Sequence, residues 1–440
     1  MEKSIHVKSP SKKSVFEKEQ VYVVETEEKV KYAIMTGFAV LLLISSLFFN
    51  SPSEIIRGMG SIMVAPSILV TDYMVVGNIG ASFFNAGILM LISIYLAHKN
   101  GVNMNGPVMA AAFTVAGFAL FGKNIFNIWP VIIGVYFRSL YQKEKFSKFI
   151  LPALFGTALG PLISQVSFGY GIDQAPALIA GCAIGILAGF MLPPLANHFV
   201  KFHQGFNLYN IGFTCGITGM VFMALFRSFD FENPSTLIVA EGFNRSFTIY
   251  FSVFFGIMLI TGFFCNNRSL KGYSWVLKHS GRLVSDFVSL NGFGLSLVNM
   301  ALLGYVSMAY VLAVGGELNG PIIGGIFTIV GFGAFGKHLK NVWPLFAGVY
   351  LASMFQIWDV NSTGALLAAL FGTTLAPIAG AYGWSFGILA GIVHMSMVMN
   401  VGFLHGGMNL YNNGFSGGFV AAVLTPLFDS LKLFKGDVES

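Results

Sequence analysis

"NGPVMAAAFTVAGFALFGKNIFNIWP" occupies residues 105–130, and "NGPIIGGIFTIVGFGAFGKHLKNVWP" occupies residues 319–344. Both keep Asn-Gly-Pro, Phe-Gly-Lys and Trp-Pro while the apolar letters between them drift. Extended outward without a gap, residues 72–139 match residues 286–353 at 24 of 68 positions, several times what chance supplies. After a two-residue slip, Leu154-Phe155-Gly156-Thr157 faces Leu370-Phe371-Gly372-Thr373, and Pro161 faces Pro377. "GILAG" then recurs at Gly185 and Gly387. Finally "HQGFNLYNIGFTCG" from His203 faces "HGGMNLYNNGFSGG" from His405 with nine identities in fourteen. The chain is therefore one unit written twice, over residues 32–235 and 247–430. Residues 236–246 connect the copies, a polar tail covers 1–31, and a short tail covers 431–440.

The composition says where such a unit lives. Of 440 residues 55% are hydrophobic and only 10% charged, with a mean hydropathy of +0.73, which places the chain among integral membrane proteins. Apolar runs at 32–49, 175–195, 247–264 and 383–401 approach the roughly 20 residues a helix needs to cross hydrocarbon. Strand-type alternation is absent, so helices are the spanning form. Within the first copy seven apolar segments stand near 32–49, 78–97, 106–121, 127–141, 149–166, 174–196 and 206–226. The third, fourth and seventh are short and rich in Gly. The expected fold is an all-α polytopic membrane protein with two inverted-topology repeats of about seven segments each, some broken or re-entrant.

Inversion follows from parity and charge. Short cytoplasmic loops collect Lys and Arg. If all seven segments cross, the Lys-rich tail, the loop with Arg138, Lys143, Lys145 and Lys148, and the loop with Arg268, Lys271, Lys278 and Arg282 all fall inside. Reading the third and fourth segments as one re-entrant hairpin leaves that agreement intact. An odd number per copy turns the second copy upside down, as in many transporters. The N-terminus is expected in the cytoplasm. The first apolar run begins only after the 31-residue tail, which holds seven Lys and six Glu and reads as a retained, solvated arm rather than a signal peptide. The net charge of +6 is spread over loops and forms no nucleic-acid patch. Cys182, Cys215 and Cys265 have no metal or disulfide spacing and read as small hydrophobes.

The residues preserved between copies are the candidates for function. Asn105 and Asn319, each before Gly-Pro, read as caps of helices whose positive dipole ends can face a polar cavity. Thr114 and Thr328 lie inside those helices. Lys123 and Lys337 end them after some fifteen residues, which makes half-helices the natural reading. Each Lys is either an interfacial side chain that snorkels to water or a charge at the mouth of a pathway. Trp129 and Trp343 fit an interfacial belt. Asn207 and Asn210, with Asn409 and Asn412, are read as one helix face with the intervening Tyr rotated away, offering donors and acceptors to a neutral polar solute. Gly212, Gly216, Gly414 and Gly418 can pack the halves together. Asn85 and Asn299, mid-span, are expected to face the interior. His203 and His405 can titrate near neutral pH or act as end caps. Asp72 and Asp286, the repeated acidic pair, are read as helix caps ahead of proton couplers.

No Walker motif, HExxH, Ser-His-Asp candidate or acidic cluster within a span is present. An enzyme is therefore not expected, nor a cofactor or a metal. The paired "NGP…FGK…N.WP…GVY" and "G.NLYN.GF" motifs, covering about 400 residues, resemble a family of bacterial multi-pass inner-membrane proteins of the domain-of-unknown-function kind. That resemblance implies a location in the bacterial cytoplasmic membrane and no substrate. A looser likeness, carried by "GFNLYN" and by "NAGILMLI" at Asn85, is to the urea-transporter architecture, although the Pro-Phe signature of that family is not found. The expectation is a facilitator or secondary transporter for a small polar solute, neutral or weakly anionic, with a route between the repeats. Its partners are that solute and the lipid bilayer, with self-association into a homo-oligomer left open. The competing class is a membrane-embedded enzyme or scaffold.

Overall fold

Asn-Gly-Pro starts a helix in both copies, and the fold is organised around those two helices. In the computed structural model, which describes residues 23–355 and 357–438, the Asn105 carboxamide accepts a hydrogen bond from Val108 N at 3.0 Å. The Asn319 carboxamide does the same for Ile322 N at 3.1 Å. The expected tail lies outside the described residues over 1–22, as do residues 439 and 440.

The first copy comprises α1 (Glu28–Phe49), α2 (Pro52–Val64), α3 (Tyr73–Val76), α4 (Ile79–Lys99), α5 (Gly106–Phe118), α6 (Ile128–Tyr141), α7 (Ile150–Gly156), α8 (Gly160–Phe168), α9 (Gln174–Phe202) and α10 (Asn210–Arg227). The second comprises α11 (Asn244–Cys265), α12 (Tyr273–Val276), α13 (Phe287–Asn291), α14 (Phe293–Ala313), α15 (Gly320–Phe332), α16 (Leu339–Phe355), α17 (Thr363–Gly372), α18 (Ala376–Tyr382), α19 (Trp384–His405) and α20 (Asn412–Val438). Among the described residues ten helical spans are long and apolar enough to cross a membrane. Two of these, Phe146–Phe168 and Thr363–Tyr382, are broken by 3-10 turns after Gly156 and Gly372. The protein is an all-α multi-pass membrane protein with no strand among the described residues.

Helices α5 and α15 are the half-helices of the sequence reading, 13 residues each and buried along their whole length. They pack antiparallel, because Gly106 at the start of α5 abuts the Ala334 carbonyl and Gly320 at the start of α15 abuts the Leu120 carbonyl. Where they cross, a Cβ on Gly117 would stand 2.7 Å from the Gly324 oxygen. Glycine is needed there for backbone contact. The same device joins α6 to α9 and α16 to α19. A Cβ on Gly134 would meet the Ile186 oxygen at 2.0 Å, and one on Gly348 the Ile388 oxygen at 2.2 Å.

The connection between copies runs over 228–243, and its middle is pinned to the first copy: Val70 N donates to Thr236 O at 2.9 Å and Ile238 N to Val70 O at 3.1 Å. Backbone pairing of that kind leaves no sequence signature. At the other end, the membrane-length part of α20 runs over Asn412–Leu431 and the helix continues to Val438. The copies also differ ahead of their conserved Asp. Ser51 and Glu54 form a reciprocal capping box that starts α2, and the Ser51 hydrogen bonds hold the Glu54 carboxyl below the usual carboxylate range. The second copy has only the one-turn α12 in that place.

Candidate functional site

Each half-helix ends in a tight turn that carries the conserved Phe-Gly-Lys. Gly122 and Gly336 sit at φ of 148° and 91°, a region open to glycine and strained for other residues. The turn is then clamped from a neighbouring span: Asn85 Nδ2 donates to Ala119 O and Lys123 O, both at 2.7 Å. Asn299 does the same to Gly333 O and Lys337 O, also at 2.7 Å. Asn85 and Asn299 thus face the interior as expected, and they are occupied in placing the two lysines.

Both lysines are fully enclosed, with 0% exposure. The snorkelling reading is overturned, because the turns that carry them are folded into the protein and not presented at its edge. Their partners differ. Lys337 Nζ donates to Tyr209 Oη at 2.5 Å and to Thr373 Oγ1 at 2.6 Å. Lys123 Nζ has no hydrogen-bond partner. It lies 5.1 Å from the centroid of the Phe118 ring, against which Tyr411 packs at 4.5 Å, and Cys215 is a further neighbour. By the alignment of the copies, Tyr411 and Thr157 correspond to Tyr209 and Thr373. Thr157 donates to the Leu154 carbonyl at 2.6 Å just as Thr373 donates to the Leu370 carbonyl, but it takes no bond from Lys123, and the Tyr411 hydroxyl has no partner beyond its neighbour Thr114. The Thr114 hydroxyl stands beside it and has no other partner, whereas its counterpart Thr328 donates to Gly324 O at 2.9 Å.

Tyr209 and Tyr411 meet at the centre with their rings 5.1 Å apart. Phe332 backs Tyr209 at 4.8 Å, while Phe371 and Phe155 extend the cluster on either side. This is the main correction to the reading of NLYN. Residues 203–209 are not helical and α10 begins only at Asn210, so Tyr209 is not rotated away but leads into the centre. The cause is local: Asn207 Oδ1 accepts from Tyr209 N at 3.2 Å, and Asn409 Oδ1 from Tyr411 N at 3.0 Å. A carboxamide that captures the amide two residues on competes with helix formation.

The remaining Asn side chains are likewise engaged. Asn207 Nδ2 donates to Gly414 O at 2.9 Å and Asn409 Nδ2 to Gly212 O at 3.4 Å, each reaching into the other copy. Asn210 bridges His203 Nε2 (2.9 Å) and Ala196 O (3.1 Å); Asn412 bridges His405 Nε2 (2.9 Å) and Val398 O (3.2 Å). Gly212 and Gly414 give room to Tyr411 and Tyr209, while Gly216 and Gly418 seat Phe415 and Phe213 of the opposite copy.

The half-helix N-termini do not open on a cavity. Asp286 accepts from Gly106 N at 2.8 Å, and Asp72 accepts from Gly320 N at 3.0 Å as well as from Ala240 N and Met74 N. Each Asp caps its own short helix, as the sequence indicated, and also plugs the half-helix of the other copy. The second bond spans 180 and 248 residues, beyond any local pattern.

Two cavities approach the tyrosine pair. One, of about 350 Å³, is lined by Lys148, Phe155, Asn210, Val284, Tyr209 and Tyr411 among others. The second is a pair of adjoining spaces of about 730 and 100 Å³ that share Leu69, Val70, Gly364 and Asn412 and reach Phe371 and Leu410. They lie at opposite ends of membrane-length helices. The span Phe146–Phe168 starts at the first cavity with Lys148 and Leu151, and its far end is tied to the second, where Gln165 Nε2 donates to Asn233 at 3.2 Å. The equivalent span Thr363–Tyr382 runs the other way. Thr363 and Gly364 line the second cavity, and Gly380 packs on Ser280, three residues before Leu283 of the first.

A protein family described as "Protein of unknown function (DUF1576)" matches residues 51–228 and 265–430, more than half of the chain. The chain belongs to this family. The two matched segments of the DUF1576 family correspond to the two copies, and both contain an Asn-Gly-Pro half-helix, a buried lysine and an NLYN tyrosine. No curated protein and no solved structure matches the chain.

Proposed function

We propose that the protein is a facilitator or secondary transporter for a small polar solute, neutral or weakly anionic, whose route runs between two inverted repeats. One observation carries this reading: a cavity lined by Tyr209 and Tyr411 and a second, at the opposite end of the same membrane spans, that reaches Phe371 and Leu410 stand on either side of one aromatic cluster. A membrane-embedded scaffold or enzyme has no need of a second vestibule aimed at the same point. Inversion is supported by the antiparallel half-helices and by the opposite courses of the two broken spans. The aromatic cluster separates the vestibules, so passage requires Tyr209 and Tyr411 to part. That is the alternating or gated access that inverted repeats provide by rocking about a central site.

Sidedness tests the reading directly. Lys148→Cys and Ser235→Cys, both at exposed positions lining the two cavities, are expected to react with a membrane-impermeant maleimide from opposite faces of sealed vesicles. Asn103→Cys and Glu317→Cys, equivalent in the two copies, are expected to do likewise. Labelling of the first pair from one face would remove the through-route, and labelling of the second pair from one face would remove the inversion.

A further inference from the structure

Near the centre Lys123 Nζ is buried without a partner, and the buried Tyr411 Oη and Thr114 Oγ1 have no partner beyond each other. Their residues are 0%, 1% and 0% exposed. Native interiors rarely leave such groups unmet, since each then keeps the full penalty of losing its water, and a charged group the most. The other copy shows what satisfaction looks like, with Lys337, Tyr209 and Thr373 closed on one another. The Lys123 set has the same chemistry but stands open, and every group in it can donate.

Charge narrows what would fill it. Among the described residues the ion pairs are Lys31 with Glu28 and Lys148 with Glu144, neither of them near the centre. Asp72 and Asp286 are committed to helix N-termini. A buried ammonium without a counter-charge is costly, and no carboxylate among the described residues pairs with this one. The ligand that completes the set must bring acceptor oxygens and a negative charge. Aromatic rings and the Cys215 thiol surround the position, and Tyr411 separates it from the first cavity, so the ligand must also be small.

We infer that Lys123, Tyr411 and Thr114 form a binding site for a small monovalent oxyanion of the carboxylate or nitrate type. The inference rests on reading the tyrosine pair as part of the solute route, and it narrows that solute to an anion. Bidentate oxygens would take one bond from Lys123 Nζ and one from the Tyr411 hydroxyl, with Thr114 completing the shell.

Equilibrium binding of radiolabelled formate to the purified full-length protein tests this, with nitrate and formamide as competitors. Saturable formate binding is expected, displaced by nitrate and not by formamide, the neutral molecule of the same shape. Lys123→Met is expected to weaken it at least tenfold, Tyr411→Phe severalfold, and Lys337→Met less than threefold. Tyr411→Phe removes only a hydroxyl and serves if the lysine variant does not fold. Absence of saturable formate binding, displacement by formamide equal to that by nitrate, or unchanged affinity in Lys123→Met and Tyr411→Phe would overturn the site. Flux of the same protein in liposomes separates the two ideas. Formate binding without flux of any solute keeps the site and removes transport, whereas flux of a neutral solute without formate binding keeps transport and removes the site.

Discussion

Replacing Lys123 by Met is expected to raise the melting temperature of the detergent-solubilised protein while slowing solute flux at least tenfold. The thioether fills nearly the volume of the amine and removes a buried donor that has no partner, an exchange worth about 1–3 kcal/mol in favour of the folded state. The flux should fall because the same amine is the charge that meets the solute. Lys337→Met is expected to do the reverse to stability. It deprives the Tyr209 hydroxyl of its partner and loosens Thr373, at a cost of about 1–2 kcal/mol. Gain of stability with loss of function marks a residue kept for activity. If both variants lose stability alike, Lys123 is a structural residue and the asymmetry between the copies has no functional content. Thermal melts read by a thiol-reactive dye, alongside liposome flux, decide between these outcomes.

Asp72→Ala should be the most damaging single change outside the glycine contacts. Asp72 is 0% exposed and accepts from three backbone amides, Met74, Ala240 and Gly320. Together these tie the first copy, the connection between copies and the start of α15. At roughly 1–3 kcal/mol for each amide left unmet, the loss amounts to roughly 3–9 kcal/mol, a large share of the 5–15 kcal/mol that typically separates folded from unfolded protein. Asp286→Ala removes the equivalent bond to Gly106 but lies partly exposed, where water can replace the carboxylate. Size-exclusion profiles and melting temperatures of the two variants should therefore separate clearly, with Asp72→Ala giving little monodisperse protein. Equal loss in both would show that water reaches neither cap.

Much of this architecture was legible in the letters because it was written twice. Length and hydropathy alone locate the spans, and the short run from Pro107 to Lys123 identifies the half-helix, since a lysine after some fifteen residues cannot be a full crossing. The caps at Asn105 and Asn319 follow from Asn-Gly-Pro, whose chemistry is local. What failed was the reading of NLYN as helical. Its asparagines have ordinary helical spacing, and only the bonds from Asn207 and Asn409 to the tyrosine amides reveal the unwound segment.

The site itself was half legible. Lys123, Lys337 and Thr114 were found as repeated polar letters in apolar surroundings, but their burial depends on Asn85, Asn299 and the half-helix of the other copy, contacts remote in sequence. Tyr209, Tyr411 and Thr373 were passed over even though the repeat preserves Leu-Tyr and Phe-Gly-Thr as faithfully as the asparagines. Identity between the two copies was the available signal, and it weighed a tyrosine the same as an asparagine. The difference between the surroundings of Lys123 and Lys337 could not be read from the sequence, because the Lys, the Tyr and both Thr positions recur in the two copies.

The central claim is that a small polar solute crosses between the two copies. Stopped-flow light scattering on proteoliposomes tests it, using a panel of small solutes that includes urea and formate, each with and without Na⁺ and proton gradients. The account predicts that at least one member, formate foremost, enters faster than into protein-free liposomes and that Lys123→Met abolishes the difference. If no member of the panel moves faster than in protein-free liposomes under any gradient, the account is contradicted and the membrane scaffold or enzyme reading takes its place.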